Sequence, residues 1–211
     1  MTNERILQKI LEVKSIIEEA TRRQEVALEA FPVIDAIIEE VKKDIAHDTA
    51  KQGGKLNQQK AAERVLKSCA KNYRPALQAS WIDSDGLQCL CDGFQAFRIK
   101  KPLTLPQLPD SLEKLDLKRI VQPNHGKALE LPTVATLKTF IKTEKARLKA
   151  KKDKSAPAWD FGADLPLVNA EMLLNALEIL PGCTATAKNC TSGLYFESPH
   201  GCGLVMPLRR A

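Results

Sequence analysis

Apolar residues recur at three- and four-residue spacing in four parts of the chain, and each part therefore predicts an amphipathic helix. These parts are 3–45, 58–74, 133–152 and 168–180. Short apolar runs separated by Asp-Gly or Pro-His-Gly turns predict antiparallel strands over 77–99 and 194–208. Helices combined with antiparallel hairpins predict an α+β fold.

The N-terminal region carries two apolar stripes with Pro32 between them, which predicts two helices, bent or broken near that proline. Residues 1–46 are thus predicted to form a separate helical element. The pattern suits either a hairpin packed on the main domain or a coiled coil that oligomerises the protein. The polar residues 47–57, with Gly53-Gly54, predict a linker, and 58–211 the main domain.

Within the main domain the order of predicted elements repeats. The helix over 58–74 precedes strands, and the helix over 168–180, with Asn169 as its N-cap, also precedes strands. This order suggests two duplicated helix-plus-strands halves. Residues of about 110–156 form a basic helical insertion between the halves, and 159–168 is predicted to return the chain to the sheet.

Two motifs carry a family resemblance. The run from Asp92 to Arg98 reads Asp-Gly-Phe-x-Ala-x-Arg, and the C-terminal part reads VNAEMLLNALEIL followed by GLVMPLR. Together with the repeated element order, these resemble the bacterial sliding clamp, the polymerase processivity factor, over roughly 57–100 and 157–210. The resemblance implies a clamp-like domain, non-enzymatic and acting in DNA replication, whose helices face DNA. A clamp subunit has three such domains and this chain has room for one, as would suit a compact accessory protein of a phage or mobile element.

Charge makes the first helix of the main domain the leading candidate for DNA contact. The chain has a formal net charge of +6, which favours a polyanionic partner. One face of the helix carries cations at spacings of four, three and four residues, extended by a further arginine: Lys60, Arg64, Lys67, Lys71 and Arg74. Such a stripe can follow phosphates without reading bases, and the alternative is an ordinary solvated face.

A second basic group ends the helix over 133–152. Its candidate DNA-binding members are Lys145, Arg147, Lys149, Lys151 and Lys152. These cations could form a basic arm that contacts nucleic acid. The alternative is a purely structural role, because the helix dipole favours cations near a helix C-terminus. The helix over 168–180 is predicted to expose Asn169, Glu171, Asn175 and Glu178 and carries no cation. We therefore expect a lopsided DNA-facing surface.

Candidate chemistry is sparse. The close pair Cys89 and Cys91 lies in a strand pattern, whereas zinc sites usually need two such pairs on tight turns. The three histidines are isolated, and no nucleophile-elbow, P-loop or dinucleotide motif occurs. Aromatic residues make up only 5% of the chain, which argues against a base-stacking platform. We predict no catalytic site, no metal, no cofactor and no enzymatic activity.

The remaining expectations follow from composition. No apolar run is long enough to cross a membrane, and six cysteines without a secretion signal favour reduced thiols in a cytoplasm. The preferred function is a sliding-clamp-like protein that associates with double-stranded DNA, independently of sequence, or with a replication protein. The alternative is a protein-interaction or oligomerisation module that keeps the fold without a DNA role. Self-association is expected in either case.

Overall fold

The computed structural model describes residues 3–24, 30–69 and 77–210. The chain divides into two compact units, Met1–Leu56 and Asn57–Ala211. The described residues form six helices and nine strands, most of the strands in one antiparallel sheet. The fold is therefore mixed α+β, as the sequence predicted.

The first unit contains helices α1 (Asn3–Gln24) and α2 (Ala30–Gln52), which pack on each other. An ion pair between Lys14 and Asp35 links them. The region forms two helices as predicted, and Pro32 lies in the first turn of the second one, α2. Proline is tolerated there, since the first backbone N–H groups of a helix have no partner within the helix.

The predicted linker is shorter than expected. Helix α2 continues through Gln52, and the next helix, α3 (Leu56–Ser68), begins four residues later. Gly54 has φ of +68°, and the amide of Lys55 donates to the carbonyl of Ala50 at 2.7 Å. These bonds close the end of α2 in a Schellman motif, so the glycines end the helix rather than form a long flexible stretch.

The second unit is organised around a seven-stranded sheet in the order β1-β2-β3-β9-β8-β7-β4, with all neighbours antiparallel. Its strands are β1 (Trp81–Ile82), β2 (Gln88–Cys91), β3 (Gln95–Ile99), β4 (Lys127–Leu129), β7 (Thr184–Ala187), β8 (Leu194–Ser198) and β9 (Gly201–Val205). The predicted turns at 83–86, 92–93 and 198–201 connect strands as expected. Strands β4 and β7 were not predicted, because both are short and rich in alanine.

Three further parts of the second unit differ from the prediction. Strands β5 (Ala158–Asp160) and β6 (Leu167–Asn169) form a separate two-stranded sheet instead of joining the main one. The first part of the predicted helical insertion contains only one helical turn, α4 (Leu117–Ile120). The segment predicted as an insertion contributes to the core, because its strand β4 extends the main sheet and its helix α5 (Val134–Ala150) buries Leu137 and Ile141.

One face of the sheet is covered by three helices, α3, α5 and α6 (Ala170–Ile179). Asn169 caps α6 as predicted, since its side chain accepts from the amide of Glu171. The largest core cluster joins these helices to sheet residues such as Phe97 and Phe196, both fully buried. A smaller cluster on the other face packs α4 and the segment before it against Trp81 and Tyr195.

The element order α3-β1-β2-β3 is repeated as α6-β7-β8-β9, and the two strand groups meet where β3 pairs with β9. In this pairing Phe97 lies opposite Gly203, and Ile99 lies opposite Gly201. A Cβ on Gly201, whose φ is +145°, would lie 2.1 Å from the carbonyl oxygen of Arg98. One on Gly203 would lie 2.6 Å from the Phe97 ring. Glycine at 201 and 203 is therefore required for this close approach.

We expect Gly201→Ala to lower the free energy of unfolding of the second unit by about 2–4 kcal/mol, because the methyl group meets backbone that cannot move aside. Lys101→Ala is the control, since it changes an exposed residue of the same unit. It should change stability by less than about 0.5 kcal/mol. Denaturant unfolding followed by fluorescence of Trp81 and Trp159, both in the second unit, measures the difference. Equal stability of the two variants would contradict this explanation.

Candidate nucleic-acid interface

The candidate surface is the outer side of the three helices α3, α6 and α5. Helix α6 contacts both of the others. It packs on α5, and the side chain of Gln58 in α3 donates to the carbonyl of Ile179 at 3.0 Å. The apolar sides of all three helices enter the main core. Their polar sides consequently form one surface, which brings the predicted stripe of α3 close to α6 and α5.

Arg64, a predicted DNA-binding residue, is bound by two side chains of α6. Its Nε donates to Asn175 Oδ1 at 3.0 Å, and its guanidinium forms an ion pair with Glu178. The other oxygen of Glu178 lies 2.7 Å from Nζ of Lys138 in α5. The Glu178 side chain is only 5% exposed. Arg64 is therefore a link between α3 and α6 in addition to a surface cation.

Asn175 and Glu178 are thus buried, whereas the sequence analysis predicted that both would be exposed. Glu178 is compensated by a cation from each neighbouring helix, which is the arrangement that makes a buried carboxylate tolerable. Glu171 is exposed as predicted. The expectation of a lopsided surface is corrected, because α6 lies between two cationic helices that partly neutralise its acids.

Helix α5 carries a cationic stripe that the sequence analysis did not assemble. Lys138 and Lys145 form ion pairs with Glu178 and Glu171 at 2.7 and 2.6 Å, so α5 and α6 run antiparallel. With two more exposed lysines the stripe has spacings of four, three and four residues: Lys138, Lys142, Lys145 and Lys149. The same spacings mark the predicted stripe of α3, and this identity was the signal that could have revealed Lys138 and Lys142.

The remaining predicted residues divide into four groups. In α3, Lys60 and Lys67 are exposed and form no ion pair within the described ranges. Arg147 is paired with Glu144 at 2.8 Å, and the hydrogen bond that it donates to this carboxylate raises the pKa of its guanidinium. Three lysines near the end of α5 are exposed and form no ion pair in the part of the chain that the structure describes: Lys149, Lys151 and Lys152. Two predicted residues, Lys71 and Arg74, lie outside the described residues.

A series of hydrogen bonds between polar side chains connects this helical surface with the sheet beneath it. The amide of Asn175 donates to Gln95 Oε1 at 3.4 Å, and Gln95 donates to Asp92 Oδ2 at 2.7 Å. Ser68 at the end of α3 donates to the same oxygen at 3.0 Å. Asp92, the first residue of the clamp-like motif, therefore connects the β2–β3 turn with both α3 and α6.

Arg98, the last residue of that motif, lies on the opposite face of the sheet. It forms ion pairs with Asp83 at 2.8 Å and with Asp85 at 2.6 Å. Hydrogen bonds from Lys118 and Arg98 lower the pKa of Asp85. Burial, with Asp83 nearby, raises the pKa of Cys89 to about 12, which keeps it a neutral thiol. The arrangement fastens the 83–86 turn to the sheet.

All six cysteines are free thiols. Among the described residues, no group of three or more histidine, cysteine or acidic side chains is placed to hold a metal ion. No helix in those parts of the chain has the length and apolar character needed to span a membrane.

Comparisons of the chain with protein-family models, with curated proteins and with solved structures found no match. The clamp resemblance therefore depends on the sequence motifs quoted above.

We expect Arg64→Ala to lower the free energy of unfolding by about 1–3 kcal/mol, because buried Asn175 and Glu178 each lose a hydrogen-bonding partner. Lys60→Ala, in the same helix and without an ion pair, should change it by less than about 0.5 kcal/mol. Denaturant unfolding of both variants measures the difference. Equal stabilities would show that the α3–α6 link contributes nothing.

Proposed function

We propose that the chain is a non-enzymatic, sliding-clamp-like protein that associates with double-stranded DNA through the α3–α6–α5 surface, without sequence preference. The observation that carries the proposal is the pair of cationic stripes with matching spacings, one on each side of α6. Four of their lysines form no ion pair in the described ranges and are available to phosphates: Lys60, Lys67, Lys142 and Lys149.

The dimensions of the stripes suit a phosphate backbone. The α5 stripe, from Lys138 to Lys149, covers eleven residue steps of helix, or about 16 Å at 1.5 Å per residue, and the described part of the α3 stripe, from Lys60 to Lys67, covers seven steps, or about 10 Å. Duplex DNA presents one negative charge per roughly 1.7 Å of its axis, so several phosphates fall within that length. Lysines at regular intervals on helix surfaces neutralise such charge without reading base edges.

The surface offers little for single-stranded bases. Base stacking needs exposed aromatic rings. The described helices α3, α6 and α5 contain one aromatic residue, Phe140 in α5, which packs edge to face on Trp159 with ring centroids 4.9 Å apart. This favours a backbone contact with duplex DNA over a stacking platform.

The clamp-like part of the proposal is supported by topology. The repeated helix-plus-three-strands order and the central β3–β9 pairing are what a duplicated unit with an approximate twofold axis would produce. In that arrangement α3 and α6 are equivalent helices, and Arg64 links them side by side. A cytoplasmic role alongside replication proteins belongs to the same proposal, as the sequence motifs imply.

The test is a duplex-DNA titration at several salt concentrations. The Lys60→Gln/Lys67→Gln and Lys142→Gln/Lys149→Gln double variants should each reduce the slope of log affinity against log salt by about 1.8, since each lost phosphate contact contributes about 0.9. Arg64 is left intact because it binds Glu178.

The matched control is Lys100→Gln/Lys101→Gln, which removes two exposed lysines outside the helical surface. It should bind as the wild type does. Absence of binding at low salt, or equal losses in all three double variants, would contradict the proposed surface.

The alternative function, an oligomerisation module, has support in the first unit. The described parts of its helices expose five large apolar residues, and four of them form the candidate group: Val13 at 51%, Ile16 at 66%, Val33 at 60% and Ile37 at 43%. The Lys14–Asp35 ion pair places these α1 and α2 residues at one level of the hairpin. An exposed apolar group at one level favours self-association.

We expect Ile16→Glu/Val33→Glu to shift the protein towards the 23.4 kDa monomer if this group joins two copies. Leu11→Glu is the control, because Leu11 is also exposed but lies roughly 200° around the helix from Val13. Light scattering after size exclusion measures the mass. A monomeric wild type, or the same mass for all three proteins, would remove this alternative.

A further inference from the structure

The acids of α6 occupy cations that the stripes would otherwise offer to DNA. The two stripes together contain seven described cations, of which three are engaged by α6: Arg64, Lys138 and Lys145. Resting on the proposed function, we infer that Glu171 limits the affinity of this surface for DNA phosphates, so that removing its charge strengthens binding.

The two acids are placed differently, and this separates their roles. Glu178 is 5% exposed and is shared by two cations, so its group retains a positive charge and holds the three helices together. Among the described residues Glu171 is paired with Lys145 alone, and the two side chains are 47% and 55% exposed. That pair is neutral and lies at the surface, where a phosphate approaching α5 meets a carboxylate beside the lysine.

A limited affinity has a physical consequence for a sequence-independent binder. Binding through few phosphate contacts is salt-sensitive and lets a protein slide and hop along the duplex. Because Glu171 is paired with Lys145, that lysine is not available for a phosphate contact, and the Glu171 carboxylate also repels phosphates. The surface would thereby hold DNA loosely enough to remain mobile on it.

The experiment compares the full chain with Glu171→Gln in titrations of duplex DNA. The variant should bind several-fold more tightly at 50 mM salt, and its slope should be steeper by about 0.9 as Lys145 becomes available. Its advantage should shrink by about 3.5-fold between 50 and 200 mM salt. Glu171→Asp retains the charge and should bind as the wild type does.

Asp110→Asn is the matched control. Asp110 forms an exposed ion pair with Lys114 at 2.9 Å, so this change alters net charge equally and also frees one lysine. Asp110 follows Leu108, which packs in the cluster on the other face of the sheet. The control should leave affinity and slope unchanged.

The outcomes separate the two proposals. If the wild type binds duplex DNA but Glu171→Gln behaves like Asp110→Asn, or binds more weakly, the role of Glu171 is overturned and the DNA surface stands. If the wild type and every variant fail to bind at low salt, the proposed function falls and this inference falls with it.

Discussion

The antiparallel pairing of β3 with β9 joins the two strand groups of the second unit into one sheet, and the helical surface depends on it. The pairing is possible because Gly201 and Gly203 let the backbone of β9 approach Arg98 and Phe97. It sets α3 and α6, each of which precedes one strand group, side by side on the same face. A bulkier residue in β9 would separate the halves and with them the two helices.

On one face of that sheet, ion pairs hold the three helices together and determine which of their lysines remain without a partner in the described ranges. Glu178 is buried between Arg64 and Lys138, so one carboxylate holds three helices together while their outer lysines stay exposed. The Asn175–Gln95–Asp92 chain carries this connection down to the β2–β3 turn. The clamp-like Asp-Gly motif thus acts structurally, and the proposed phosphate contacts come from exposed lysines that form no ion pair in the described parts of the chain.

The sequence predicted the structural features that depend on residues close to one another in the chain. The periodicity of α5 and α6, the Asn169 cap and the Asp-Gly turns each depend on residues within a few positions of one another. Strand β7 could not be predicted in this way, since its alanines carry no strand signal and only its pairing with β8 and β4 makes it a strand. The burial of Glu178 was missed for the same reason: its compensating cations come from positions 64 and 138, which no local pattern connects.

The central claim is that DNA meets the protein on the α3–α6–α5 surface. Reductive methylation of lysines, read by mass spectrometry with and without duplex DNA at low salt, tests it most directly. The account predicts protection of Lys60, Lys67, Lys142 and Lys149, all exposed in the free protein, and unchanged reactivity at Lys100, Lys101 and Lys188. Unchanged reactivity of the first group, or protection of the second group instead, would contradict it.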